Sequence, residues 1–242
     1  ECPLPLTAAN PGQLTHAILC ANRAGPGRHT ITLTANFGLT TTLPPLDNRE
    51  ADELLIEAPG ITLTGDGAHT VLAIAPRTTV RLHGLTITNG LGSSGQDGLS
   101  AGGIYNRGRL TISDAAIVGN SASHGGGVYN RGELIVETSE ISTNTAVNGG
   151  GGIFNSRALT LNRATLTGNS AVAGGGIATL AQSVNATLTM SDSSSLTGNT
   201  AETGGGVYVY ADGSGQVAVN LSDTSFVRNK ATTGAGALDL FA

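Results

Sequence analysis

The side chains that could carry out acid–base chemistry in this 242-residue chain are its aspartates, glutamates and histidines. Cleavage of a sugar chain would need two carboxylates roughly 5–9 Å apart, or a calcium-binding acidic cluster beside a basic residue. Asp114, Asp192 and Asp223 each stand two residues after an inner strand position, but Thr138 and Arg163 take that place in the repeats between them. Aspartate next to small polar residues is typical of turns. We therefore interpret these carboxylates as turn residues.

The other titratable residues also favour structural interpretations. Glu133, Glu137 and Glu140 crowd one repeat and predict a solvated acidic surface, while Asp66 stands in a Thr-Gly-Asp-Gly turn signal. The histidines at 16, 29, 69, 83 and 124 follow no repeat spacing, and no motif pairs one with a Ser or Cys nucleophile. His124 adjoins a glycine block and is predicted to lie in a loop. Since CxxC and HExxH motifs are also absent, the sequence predicts neither a catalytic residue nor a metal site.

A binding surface is better supported, by a column of aromatic residues. Each follows an inward apolar residue directly, so its side chain is expected to face outward. The members are Tyr105, Tyr129, Phe154 and Tyr208. Ala178 interrupts the column, and Arg107 and Arg131 stand two residues after its first two rings. Such rings could stack on sugars while the arginines pair with acidic groups, or they could contact a partner protein or a second copy. They could also simply stabilise one face of a sheet.

The composition limits the elements that position these residues. Glycine accounts for 36 of the 242 residues, about twice the usual share, and only 12% of residues are charged. So much glycine disfavours a helix bundle. The glycines do not recur at every third residue, which excludes collagen. The regular recurrence of hydrophobic residues, which make up 39% of the chain, disfavours disorder. A net charge of −5 gives no reason to expect nucleic acid as a partner, and no apolar run is long enough for a transmembrane helix.

Three markers repeat in register along the chain. A glycine block precedes an apolar residue at positions 104, 128, 153, 177, 207 and 237, with spacings of 24, 25, 24, 30 and 30. An apolar residue, followed three positions later by an asparagine, recurs with the same step. These asparagines are Asn120, Asn144, Asn169, Asn199 and Asn229. Asparagine tolerates left-handed backbone, and its amide can bond to an equivalent amide, so we predict a stacked ladder. Asn106, Asn130 and Asn155 predict a second, inward ladder that would end at Thr179.

Between the markers, apolar residues alternate as in half-buried strands, for example Leu134 and Val136. A unit of about 24 residues holds three short strands and no helix, and it must stack on its neighbours to bury its inner face. The predicted fold is all-β: a single right-handed parallel β-helix with three short strands per coil. Residues Gly90–Ser100 are predicted to form an insertion loop.

The N-terminal region predicts a cap. Residues Gln13–Asn22 carry an amphipathic helical pattern, and a helix there would cover the first coil. Cys2 and Cys20 are the only cysteines, and a disulfide that staples this cap is favoured over two reduced thiols. The expected division is a cap with the first strands over 1–50 and a β-helix of 24–30-residue coils over 51–242, without a C-terminal cap.

The repeats GGIYNRGRLTISDAAIVGNSAS and GGGVYNRGELIVETSEISTNTA resemble the right-handed β-helix repeats of bacterial surface proteins. They are similar to the polymorphic outer-membrane protein repeat, which combines GGAI with FxxN. The segments Gln13–Asn22, Arg28–Leu33 and Leu43–Leu46 are similar to secreted proteins with a CSLREA-type N-terminal motif, although LTHAI stands where LREAI is usual. The resemblance covers nearly the whole chain and implies a β-helix and an exported surface location.

These observations predict a non-catalytic structural or adhesive protein, extracellular or at the cell surface, with its signal peptide removed and no cofactor. The expected partner is the protein itself, in a filament or layer built through stacked or lateral contacts, or a surface glycan or protein. The alternative is a polysaccharide-binding or polysaccharide-degrading β-helix protein, either a lyase or a hydrolase. Product release from uronate polysaccharides would distinguish the two.

Overall fold

The computed structural model describes residues 2, 5–92, 101–182, 184–212 and 214–241. It is an all-β parallel solenoid of about 8 turns, as predicted, with one short helix. The helix, α1, spans Pro11–Ala21. The strands are β1 Leu6–Ala8, β2 Arg28–Leu33, β3 Phe37–Gly38, β4 Glu53–Thr64, β5 Leu72–Ile74, β6 Thr79–Thr88, β7 Leu91–Gly92, β8 Ile104–Asn106, β9 Arg109–Ser113, β10 Ala116–Val118, β11 Ser121–His124, β12 Val128–Asn130, β13 Glu133–Glu137, β14 Glu140–Ser142, β15 Thr145–Gly149, β16 Ile153–Asn155, β17 Ala158–Asn162, β18 Thr165–Thr167, β19 Ile177–Ala181, β20 Ala186–Ser191, β21 Ser194–Thr197, β22 Thr200–Ala201, β23 Val207–Ala211, β24 Val217–Leu221, β25 Thr224–Val227, β26 Lys230–Ala231 and β27 Leu238–Phe241.

The N-terminal helix caps the first coil. The Asn10 side chain accepts a hydrogen bond from the Gln13 N–H at 3.0 Å, which satisfies one free donor of the first turn. Leu14 and Ile18 are fully buried, and the helix packs against β1 and β2. The predicted disulfide is confirmed: Cys2 and Cys20 are bonded, with their Cα atoms 5.5 Å apart.

Equivalent strands of successive coils pair in parallel and in register. One column contains β5, β8, β12, β16, β19, β23 and β27. A second contains β9, β13, β17, β20 and β24, and a third contains β10, β14, β18, β21 and β25; both continue from β6. Where three strands per coil are expected, the coils that begin at Ile104, Val128, Ile177 and Val207 carry four, because β11 pairs with β15 and β22 pairs with β26. Among the described residues, β24, β25 and β27 pair with the preceding coil only.

Left-handed residues form the bends between columns. Asp114, Thr138, Arg163, Asp192 and Asp223 all have φ between 48° and 54°, at the corner between the second and third columns. The column of carboxylates therefore marks a turn, as the sequence suggested. Since Asp, Thr and Arg are all accepted there, backbone conformation and not acid–base chemistry accounts for the column.

The asparagine ladder runs down the next corner. The Nδ2 groups of Asn120, Asn144, Asn169 and Asn199 each donate to the Oδ1 atom of the next asparagine, at 3.0, 3.0, 2.9 and 2.9 Å. The four backbone N–H groups donate to the same oxygens. The expectation of left-handed asparagines is wrong at this corner, because the preceding residue takes the positive φ, as Gly119 does at 65°.

A second ladder stacks on the inward side of the first column. Asn106 Nδ2 donates to Asn130 Oδ1 at 2.8 Å, and Asn130 Nδ2 donates to Asn155 Oδ1 at 2.9 Å. It ends at Thr179, whose buried hydroxyl has no hydrogen-bond partner in the described part of the chain. The glycine blocks let coils approach closely: a Cβ atom at Gly127 would stand only 2.7 Å from the Gly152 carbonyl oxygen.

Candidate functional site

The aromatic column lies on the outer face of the first strand column. Its positions share one register across seven coils: Ala73, Tyr105, Tyr129, Phe154, Ala178, Tyr208 and Asp239. The Tyr105 and Tyr129 rings meet edge to face at 5.4 Å between centroids, and Tyr129 and Phe154 do so at 4.8 Å. Ala178 separates Tyr208 from the other three rings of the column. The Tyr208 ring instead contacts the Phe241 ring, with 5.6 Å between their centroids.

These outward positions are not all exposed, since Tyr105 is 5% and Phe154 6% exposed, while Tyr129 is half-buried. The rings cover one another, and His124 covers two of them at centroid distances of 5.0 Å to Phe154 and 6.4 Å to Tyr129. The prediction that His124 lies in a loop is wrong, because it is the last residue of β11. Burial lowers its pKa, because a protonated ring would be poorly solvated there.

Arg131 is engaged with the same column. Its guanidinium donates a hydrogen bond to the Tyr105 side chain, and this bond raises the pKa of Arg131. Burial raises the pKa of the Tyr129 hydroxyl, so Tyr129 stays neutral at physiological pH. Arg131 thus contacts the aromatic column through Tyr105, and both Arg107 and Arg131 are exposed at this end of it.

A cleft opens where the column begins. Ala73 precedes Tyr105 in register, and its small side chain leaves space beside the tyrosine ring. The resulting Ala73 cleft has a volume of about 440 Å³. Its lining includes Leu43, Pro45, Ala73, Pro76 and Tyr105, with Arg49 and Arg107 as its arginines. Clefts of roughly 300–1,000 Å³ with an apolar lining and a few polar groups are typical of small-ligand sites.

One edge of the Ala73 cleft, residues 45–48, is here called the lip, and hydrogen bonds tie it to the N-terminal cap. Asn22, which follows α1, donates from Nδ2 to the Pro45 carbonyl at 2.8 Å and accepts from the Asp47 N–H at 2.9 Å. Asn48 donates to the carbonyls of Ala21 and Ala24 at 2.7 and 2.8 Å. These bonds order the lip before any ligand binds, which reduces the entropy that binding must overcome.

The charges of the cleft favour an acidic ligand. Arg49 Nε lies 3.2 Å from Asp47 Oδ1, while Arg107 is exposed and forms no ion pair within the described residues. A guanidinium binds a carboxylate through two parallel hydrogen bonds. The sequence singled out Tyr105 and Arg107 but missed the lip and Ala73, because the early coils keep no constant spacing. The signal available was the strand pattern at Leu72–Ile74, which aligns Ala73 with Tyr105.

A second polar site lies on the outer face of β4, β6 and β9. Glu57, His83 and Ser113 are aligned neighbours on these three strands. His83 Nδ1 lies 3.3 Å from Ser113 Oγ and 3.5 Å from Asp114 Oδ2, and His83 Nε2 lies 3.7 Å from Glu57 Oε1. The cleft over these residues, here called the His83 groove, has a volume of about 500 Å³. No sequence motif indicated this contact, because the spacings of 26 and 30 residues between Glu57, His83 and Ser113 are unequal.

The remaining acidic candidates are accounted for locally. Glu133 pairs with Arg109 at 2.7 Å and Glu137 lies 3.7 Å from Arg81, so the predicted acidic surface is partly neutralised. At Asp66 burial alone would raise the pKa, but hydrogen bonds from the His69 side chain and from two backbone N–H groups bring the pKa below its usual value. This pattern fits the predicted turn.

Within the described ranges, no three His, Cys, Asp or Glu side chains are grouped to hold a metal ion. Across the same residues, no helix has the length and apolarity to cross a bilayer. Comparisons with family models, curated proteins and solved structures found no match to the chain. The parallel β-solenoid therefore rests on the structure itself, and the resemblance to particular bacterial repeat families stays a prediction.

Proposed function

We propose that the chain is an adhesive module of an exported surface protein, and that the Ala73 cleft binds an acidic glycan. The observation that carries this proposal is the preformed cleft in which the Tyr105 wall meets the unpaired, exposed guanidinium of Arg107. An apolar wall suits the carbon face of a sugar ring, and the guanidinium suits its carboxylate. The disulfide supports an oxidising, extracellular compartment.

The rigidity of the solenoid also supports an adhesive role. Two asparagine ladders and continuous parallel pairing tie each coil to the next, so a ligand held at one coil is held by the whole rod. A surface protein under pulling forces benefits from such continuous cross-coil bonding. Assembly of the chain into filaments or layers stays a prediction, which the particle size of the purified protein would test.

The test is calorimetric titration with uronate oligosaccharides and with the corresponding neutral oligosaccharides. We expect the wild type to bind the acidic series preferentially. Arg107→Gln should weaken that binding about 10- to 100-fold, which is the effect of losing one charge-assisted hydrogen-bonded pair. Ala73→Leu should also weaken binding, because the larger side chain occupies the space beside Tyr105.

The matched control is Arg157→Gln, which removes an exposed arginine outside the cleft. We expect it to bind like the wild type. Equal weakening in the Arg107 and Arg157 variants would indicate general charge attraction and overturn the assignment of the cleft. Equal affinity for neutral and acidic sugars would overturn the role given to the guanidinium. Absence of binding to every sugar would remove the glycan proposal altogether.

A further inference from the structure

We propose that Ser113, His83 and Glu57 form a second site, which hydrolyses carboxylic esters in the His83 groove. Ser113 is the nucleophile, His83 is the general base, and Glu57 is a positioning residue that orients the imidazole. The distances are 3.3 Å from Ser113 Oγ to His83 Nδ1 and 3.7 Å from His83 Nε2 to Glu57 Oε1. Such contacts are often longer before substrate binds.

The β-helix register places the three residues in order. Glu57, His83 and Ser113 occupy one outward column on β4, β6 and β9, whose neighbouring strands are about 4.8 Å apart. The imidazole therefore has a carboxylate on one side and a hydroxyl on the other. The same serine–base–carboxylate order recurs on unrelated folds, so geometry and roles identify it, not sequence position.

The tautomer of His83 decides the chemistry. When Nε2 carries the proton it points toward Glu57, and Nδ1 is free to accept the Ser113 proton. Asp114 Oδ2, 3.5 Å from Nδ1, favours the opposite tautomer, in which Nδ1 is already protonated. Glu57 and Asp114 should thus affect the reaction in opposite directions, which a structural role for either residue would not produce.

The reaction balances with water as the only co-reactant. Ser113 Oγ forms a bond to the ester carbonyl carbon as its proton passes to His83 Nδ1. The bond from that carbon to the alkoxy oxygen breaks, and the proton leaves with the alcohol. Water then adds to the acyl-serine and gives a proton to His83. The acyl–oxygen bond breaks, the acid departs, and Ser113 regains its proton.

The shape and charge of the groove indicate the substrate class. The His83 groove and a neighbouring polar cleft of about 780 Å³ share Asp114, Thr138 and Arg163. Together they run across successive coils, along the corner between two strand columns. Arg163 lines the groove and supplies positive charge for a developing oxyanion, whereas Arg81 is paired with Glu53 and Glu137. A long polar channel of this kind suits an O-acylated polysaccharide.

The first experiment is labelling with a fluorophosphonate probe, followed by intact-mass measurement and peptide mapping. We expect one adduct per chain, located on Ser113. Ser113→Ala should abolish it, and His83→Asn should slow labelling at least about 100-fold. The control Ser156→Ala removes a serine that lines neither of the two clefts, and it should label like the wild type. No adduct, or an adduct on another serine, overturns the proposal.

The second experiment assigns the two carboxylates, using hydrolysis of p-nitrophenyl acetate and of an O-acetylated polysaccharide. Glu57→Gln should slow hydrolysis, because the His83 imidazole loses the carboxylate that orients it. Asp114→Asn should speed hydrolysis. Thermal melts establish that each variant is folded. A rate in wild-type protein equal to that of Ser113→Ala, or similar losses in both carboxylate variants, would refute the assignment.

Discussion

Replacing one asparagine in the buried ladder tests whether these amides hold the coils together. The Asn144 Nδ2 donates to the Ile117 carbonyl at 2.8 Å and to Asn169 Oδ1 at 3.0 Å. Its Oδ1 accepts from the backbone N–H and the Nδ2 of Asn120, at 2.9 and 3.0 Å. Each buried bond contributes about 1 kcal/mol, and a partner left unsatisfied costs more. Asn144→Ala should therefore lower the free energy of unfolding by about 4 kcal/mol.

The loss of stability should be smaller for asparagines that are more exposed or that lie outside the ladder. Asn229 also receives two bonds from Asn199 and donates to Leu196, but it is partly exposed, so water replaces some of what is lost. Asn229→Ala should cost about 2 kcal/mol. Asn148→Ala, on the exposed surface of the same coil as Asn144, is the control and should change stability by less than about 0.5 kcal/mol.

Urea unfolding followed by circular dichroism measures these differences. Hydrogen exchange of peptides from single coils adds a local readout, because solenoids can unfold progressively. Asn144→Ala should increase exchange most in the coils that contain Ile117 and Asn169. A loss below about 1.5 kcal/mol, or one no larger than that of Asn148→Ala, would refute the view that the ladder stabilises stacking.

Two further predictions concern the cap and the aromatic column. Replacing Cys2 and Cys20 by serine should destabilise the N-terminal cap by about 3 kcal/mol, because the disulfide closes a segment with a separation of 18 residues. Unchanged proteolysis of the cap would contradict this expectation. Burial lowers the pKa of His124, so the unfolded chain binds its proton first and stability should fall as pH drops below about 6.5. His124→Phe keeps the ring contact with Phe154 and should reduce that loss in melts at pH 7.5 and 5. An unchanged pH dependence would show that His124 does not contribute to it.

Much of the fold could be predicted because its determinants repeat along the chain. Alternating apolar residues such as Leu134 and Val136 specify a strand with one buried face, wherever it lies. A 24-residue unit cannot bury that face alone, so stacking follows from its size. The recurrence of Asn120 and Asn144 with the coil period indicated the ladder for the same reason, since residues one period apart become neighbours.

The candidate sites were less predictable because they depend on coils of unequal length. The spacing between Glu57, His83 and Ser113 changes from 26 to 30 residues, and only the pairing of β4, β6 and β9 shows that they are aligned. The lip of the Ala73 cleft likewise depends on side-chain bonds from Asn22 to Pro45 and Asp47, residues that no repeat relates.

The sequence by itself determined the parallel β-helix, its coil lengths and its disulfide-linked cap, because periodicity and local propensity act over short distances. Only the tertiary structure decided which outward residues are covered and which meet. Tyr105 and Phe154 share the outward position that strand alternation assigns them, yet neighbouring rings and His124 bury them. The exposure of an outward side chain depends on which side chains of neighbouring coils and corners pack against it. The alternation of residues within one strand does not specify those neighbours.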